Sequence, residues 1–84
     1  MTRAKFACTS KTITTDSGWD YQENASTTKE VANIQLIPVT ATSEENKSFF
    51  KSTPSGNITL AIVNLSAAEM FEVGKEYYVD FTEA

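Results

Sequence analysis

The stretch Phe71-Glu-Val-Gly-Lys-Glu-Tyr-Tyr-Val-Asp-Phe81 constrains this chain more than any other. Gly74 offers a turn, and the residues from Lys75 to Phe81 alternate across a pleat. Tyr77, Val79 and Phe81 fall on one face, with Glu76, Tyr78, Asp80 and Thr82 on the other. So much β-forming bulk in one segment predicts a strand with an apolar face. The rest of the chain must supply partners for that face. Its 84 residues make one domain, spanning 1–84, and are too few for two cores. A domain this small lies near the margin of independent stability, so self-association is expected.

Partner segments are readable in order. Residues 3 to 15 read as a first strand, with Ala4, Phe6 and Cys8 on one parity and β-branched residues from Thr12 to Thr15. Asp16-Ser17-Gly18 is a turn signal, so residues 16 to 26 read as a long loop or hairpin tip. Trp19 and Tyr21 in that loop either fold over the core or form an exposed contact. Residues 27 to 41 form a second strand; its alternation breaks at Leu36, Ile37 and Pro38, which predicts an edge or a bulge there.

Thr42-Ser-Glu-Glu45 fits a capping box, with Ser43 the competing cap, and opens a helix that ends near Ser52 ahead of Pro54. Phe49 and Phe50 supply its buried face. Residues 57 to 65 are the most apolar segment and read as the central strand. Ser66 caps a short helical turn over 67 to 71 before Gly74 returns the chain to the last strand. The order β-β-α-β-β predicts a mainly β domain with one helix. Its shape is a small antiparallel barrel or a strongly curved sheet, close in order to an oligonucleotide-binding barrel, which has five strands. The expected core is Phe6, Ile34, Leu36, Phe50, Ile58, Leu60, Ile62, Phe71, Tyr77, Val79 and Phe81. Basic residues in the first strand and acidic ones in the last predict that these two pair.

Charge excludes several roles. The net charge is −4, and from position 12 onward eleven acids face four lysines. Such a surface repels phosphate backbones, so nucleic-acid binding is disfavoured. There is no histidine, Gly-rich phosphate loop or Asp-x-Asp-x-Asp-Gly loop, so neither an enzyme, a metal site nor a bound cofactor is expected. Cys8 is the single cysteine and reads as a small buried hydrophobe. Met1-Thr-Arg-Ala-Lys leads into polar residues rather than the apolar run of a secretory signal, and no run reaches transmembrane length, so no membrane association is expected. Without that signal, the four Asn-x-Ser/Thr sequons at Asn24, Asn46, Asn57 and Asn64 read as accidents of composition.

The run from Ser43 to Gly56, followed by Phe71 to Thr82, resembles a group of short uncharacterised phage and prophage proteins. They share a helix, a Thr-Pro-x-Gly turn, a central strand and a closing Gly-Lys-Glu-Tyr-Tyr-Val-Asp-Phe strand. The resemblance covers roughly the C-terminal half. It implies a phage origin and a setting in the host cytoplasm or the virion, and no activity.

These considerations point to a non-catalytic phage-type accessory protein. It would bind a host protein or sequester a small host molecule, such as a nucleotide-derived defence signal, with pockets built between protomers. Candidate contacts for phosphate, base or partner are Lys5, Lys11, Trp19, Tyr21 and Tyr78. A capsid or tail component is the alternative, and a single-stranded nucleic-acid-binding barrel is a further one that charge disfavours.

Overall fold

A computed structural model describes the chain except Tyr21 and the side chains of Asp16, Ser17, Trp19, Asp20 and residues 25 to 28. Its elements are β1 (Thr2–Asp20), β2 (Ala25–Pro38), α1 (Glu44–Ser52), β3 (Ile58–Ile62), α2 (Leu65–Ala68) and β4 (Glu76–Phe81). The four strands form one sheet in the order β3-β2-β1-β4, and each neighbouring pair is antiparallel. This is a Greek-key order, with the last strand returning beside the first. The terminal strands pair from Thr2 opposite Phe81 to Ala7 opposite Glu76, as the charge pattern predicts.

The domain is mainly β and antiparallel, as expected, but the sheet stays open instead of closing into a barrel. β3 pairs only with β2, and β4 only with β1. Four strands fall one short of even the five-stranded barrel, so both edges stay free. The strand expected at the centre, β3, is one of those edges. The hairpin of β1 and β2 takes the centre because its ladder extends from Phe6 opposite Pro38 to Asp20 opposite Ala25.

That ladder also replaces the expected loop over 16 to 26. The strands continue through Asp16-Ser17-Gly18, and residues 22 to 24 form a turn in which Asn24 adopts φ 52°. Asn tolerates this left-handed conformation because its short polar side chain bonds locally. The expected irregularity near Pro38 lies instead across the ladder in β1. Cys8 opposes Leu36 and Ser10 opposes Gln35, which leaves Thr9 as a one-residue bulge. Its hydroxyl donates to the Gln35 carbonyl at 3.2 Å. A bulge exchanges the faces of everything beyond it. Hence Ala4, Phe6 and Cys8 face the core before it, and Lys11 and Ile13 take that face after it, opposite Ile34 and Ala32.

Of the two helix caps, that of α1 is the competing candidate and that of α2 differs from the expected one. Ser43, not Thr42, caps α1, its hydroxyl accepting from the Asn46 N–H at 3.0 Å. Asn64, not Ser66, caps α2 and accepts from the Ser66 N–H at 3.1 Å. The helical turn thus starts two residues earlier, and the asparagine oxygen satisfies a free donor of its first turn. Gly74 makes the anticipated turn at φ 92°, and its N–H donates to the Cys8 carbonyl at 2.9 Å.

One face of the sheet, covered by α2, holds the core: Ala4, Phe6, Cys8, Ala32, Ile34, Leu36 and Ala68, flanked by Ile58, Ile62, Phe71, Tyr77 and Val79. Burying side chains such as Phe6, Ile34 and Leu36 contributes about 1.5–3 kcal/mol each. Three residues expected in the core are exposed instead. Phe50 points outward because α1 turns Asn46 and Phe49 toward the sheet. Leu60 and Phe81 lie on the two edge strands and stay 36 % and 56 % exposed.

Candidate functional site

Between the two edge strands lies a cleft of about 760 Å³. Leu36 contributes from β2, Ile58 and Leu60 from β3, and Met70 and Phe71 from the connection after α2. The β4 wall is different in kind. Six consecutive residues, Glu76 to Phe81, line the cleft. Neighbouring side chains on a strand point to opposite faces, so a cleft that touches every one of them meets the strand along its edge. On β3 only alternate residues contribute, so the cleft meets that strand by its side chains. The cleft therefore exposes the unpaired main-chain edge of β4 above an apolar floor.

Tyr77 holds the end of this cleft. Its hydroxyl donates to the Met70 carbonyl at 2.7 Å and accepts from the Glu72 N–H at 2.8 Å, and its ring stacks at a tilt on Phe71 with centroids 5.4 Å apart. Met70 is 63 % exposed beside it. These residues escaped the sequence reading as site residues. Alternating apolar residues announce a buried face, but periodicity does not say whether a strand lies at a centre or an edge.

On the opposite face of β4, a polar network binds α1 to the terminal strands. Arg3 donates to Asp80 through two nitrogens, at 2.6 and 2.9 Å. Lys5 lies 3.2 Å from Glu45 and 3.4 Å from Glu76. The Tyr78 hydroxyl donates to Glu45 at 2.5 Å, and its ring has Arg3 at 5.0 Å and Lys5 at 5.4 Å. Asn46, 2 % exposed, donates to Thr42 Oγ1 at 3.0 Å and to Glu76 Oε2 at 2.9 Å. The Tyr78 hydroxyl and then Lys5 hold the Glu45 carboxyl below its usual range, and Arg3 does the same for Asp80. Glu45 in turn raises the Tyr78 phenol. Desolvation lowers the Lys5 ammonium, but its hydrogen bonds to Glu45 and Glu76 outweigh that and leave it raised.

The sequence-selected candidates do not converge. Lys5 and Tyr78 meet in this network, where their polar ends are engaged with carboxylates. Lys11 lies on the core face and donates to the Ala68 and Phe71 carbonyls at 3.0 Å each, serving as a cation at the C-terminal end of α2. Trp19 sits in the β1–β2 arm opposite Ser26, with its side chain outside the described residues, and Tyr21 lies outside them altogether. A phosphate needs several uncommitted cations in one place, and the three basic residues of β1 are each paired elsewhere.

Among the described residues, no group of three His, Cys, Asp or Glu side chains is placed to hold a metal ion, and no helix is long and apolar enough to cross a membrane. No family model matches the chain, and neither a curated protein nor a solved structure matches it.

Proposed function

We propose that this protein is a non-catalytic, phage-type accessory protein that acts by binding an extended segment of a host protein in the cleft beside β4. The observation that carries this reading is the edge-on contact between the cleft and six consecutive residues of β4. An added strand would pair with that free edge as a fifth strand of the open sheet. Main-chain hydrogen bonds then supply affinity, and side chains at alternate positions supply specificity. The floor of Leu36, Leu60 and Phe71 asks for apolar side chains at every second position of the guest. The apolar walls favour such a segment over a nucleotide-derived signal, which needs cations the cleft does not offer.

Selection from a displayed library of short random peptides tests this. The expected winners alternate apolar and polar residues, and lose binding to a Phe81→Glu variant that stays folded. Winners without alternation, or binding untouched by that variant, refute the reading. Calorimetry with cyclic and adenine dinucleotides tests the small-molecule alternative in the same buffer.

A virion component is the second reading. It is favoured by the β1–β2 arm, which makes the molecule 55 Å long against 29 and 20 Å in the other directions. Arms of this kind suit contacts between neighbours in an assembly. A virion role requires the protein to co-purify with particles at fixed stoichiometry; an accessory role requires its absence from them.

A further inference from the structure

We infer that β3 is a homodimer interface, through which two copies join edge to edge across a two-fold axis at Leu60. This inference uses the main-chain edge of β3 and leaves that of β4 free, although the side chains of Ile58 and Leu60 also line the cleft.

Three observations carry it. The first is that β3 has none of the devices that keep sheet edges apart. Ile58-Thr-Leu-Ala-Ile62 contains no charge and no proline, and its pairing with β2 has no register shift. Thr59, Leu60 and Ala61 are all exposed.

The second is its internal symmetry. Antiparallel pairing of two copies about Leu60 sets Ile58 against the second copy's Ile62, Thr59 against its Ala61, and Leu60 against its Leu60. Apolar side chains then meet apolar ones on the core face, and small ones meet on the other. A two-fold contact demands this kind of self-complementarity, and a five-residue strand with its large side chains at the first, third and fifth positions supplies it.

The third is charge. Two copies of a chain with net charge −4 repel each other. Residues 52 to 68, between Lys51 and Glu69, carry no charged side chain. β3 lies in the middle of this stretch, so two copies can approach there without setting like charges face to face. The other free edge behaves differently: β4 carries Glu76 and Asp80, with Glu83 just beyond it.

The dimer places a continuous eight-stranded sheet across the axis, with β4 as the strand at either end. Sedimentation velocity at micromolar concentration is expected to give a dimer for the native chain. Leu60→Lys sets two ammonium groups opposite each other and is expected to give a monomer, while Phe81→Glu on the other edge is expected to leave the dimer intact. Cross-linking covers the case in which Leu60→Lys unfolds. Directly opposed residues on antiparallel strands have Cβ atoms about 4.5–5.5 Å apart, so Leu60→Cys is expected to form a covalent dimer on mild oxidation. Val63→Cys is more accessible (Val63 is 64 % exposed, Leu60 36 %) but sits six positions from its own copy in this register, and is expected to form none. The native Cys8 is buried and does not compete. A monomeric native chain, a dimer disrupted by Phe81→Glu and not by Leu60→Lys, or equal cross-linking at 60 and 63 overturns the inference.

Discussion

Replacing Phe81 separates a core residue from a cleft residue. Its alternation with Tyr77 and Val79 places it in the core, where truncation to alanine costs about 3–5 kcal/mol. In the structure it is 56 % exposed, so less than half of its surface leaves water on folding. Full burial of a phenylalanine side chain is worth about 1.5–3 kcal/mol, and under half of that is about 1 kcal/mol. For a domain of this size, about 1 kcal/mol lowers the melting temperature by roughly 4–8 °C. Phe6, on the same face but 5 % exposed, is the reference. Phe6→Ala carries the full cost of about 3–5 kcal/mol, a large part of the roughly 5–15 kcal/mol that holds a small domain together. Thermal melts followed by circular dichroism should therefore show a modest drop for Phe81→Ala and a severe one for Phe6→Ala. Equal losses would refute the exposed placement of Phe81 and, with it, the open cleft.

Other consequences are equally direct. Glu45 and Asp80 have depressed carboxyls, so their contribution is complete above the usual carboxylate range of about 4 and lost as pH falls through their folded values. Tyr78 is raised, so its contribution is complete below about 10 and lost as pH climbs through its folded value. Melting temperature should form a plateau between these limits, and Glu45→Gln should flatten the acid side and shift one tyrosine titration downward in ultraviolet absorbance. Lys11→Met removes a cation from the C-terminal carbonyls of α2 and should cost about 1 kcal/mol, with faster amide exchange confined to residues 69 to 75. Replacing residues 16 to 29 by Asn-Gly joins the opposed residues Thr15 and Glu30 through a two-residue hairpin. Scattering should then show the radius of gyration fall from 16.5 Å toward the roughly 11–12 Å of a compact domain, with little change in melting.

The local structure was legible wherever one rule acted alone. Gly74 and the alternation after it place β4, and the basic-to-acidic complement of the terminal strands predicts its pairing with β1. The reading failed where two rules competed. Asp16-Ser17-Gly18 carries turn chemistry, yet the β-branched residues around it, from Thr12 to Thr15 and at Thr27 and Thr28, favour strand, and the cross-strand ladder prevails. The Thr9 bulge has no composition signal at all; Thr9 is an ordinary strand residue, and only the register reveals the switch of face that brings Lys11 to the core side. Apolarity alone marked β3 as central. An edge strand beside a cleft is equally apolar when it awaits a partner, so composition does not separate the two cases.

The division of labour on β4 follows from its geometry. A strand offers two faces and two edges. One face of β4, with Tyr77 and Val79, packs on the core, and the other, with Tyr78 and Asp80, is held by Arg3, Glu45 and α1. One edge pairs with β1. Three of its four sides are therefore committed, and the commitments are of different kinds: apolar packing, ion pairing and main-chain hydrogen bonding. A free edge on a strand so constrained is pre-organised: little conformational entropy would remain to be lost if, as proposed, a guest strand were to add to it. Exposed salt bridges contribute little to stability by themselves. The network around Tyr78 fixes β4, one of the two edge strands that border the apolar cleft. β3 has no such clamp and no charge, and the same physics leaves it suited to a partner that brings its own symmetry.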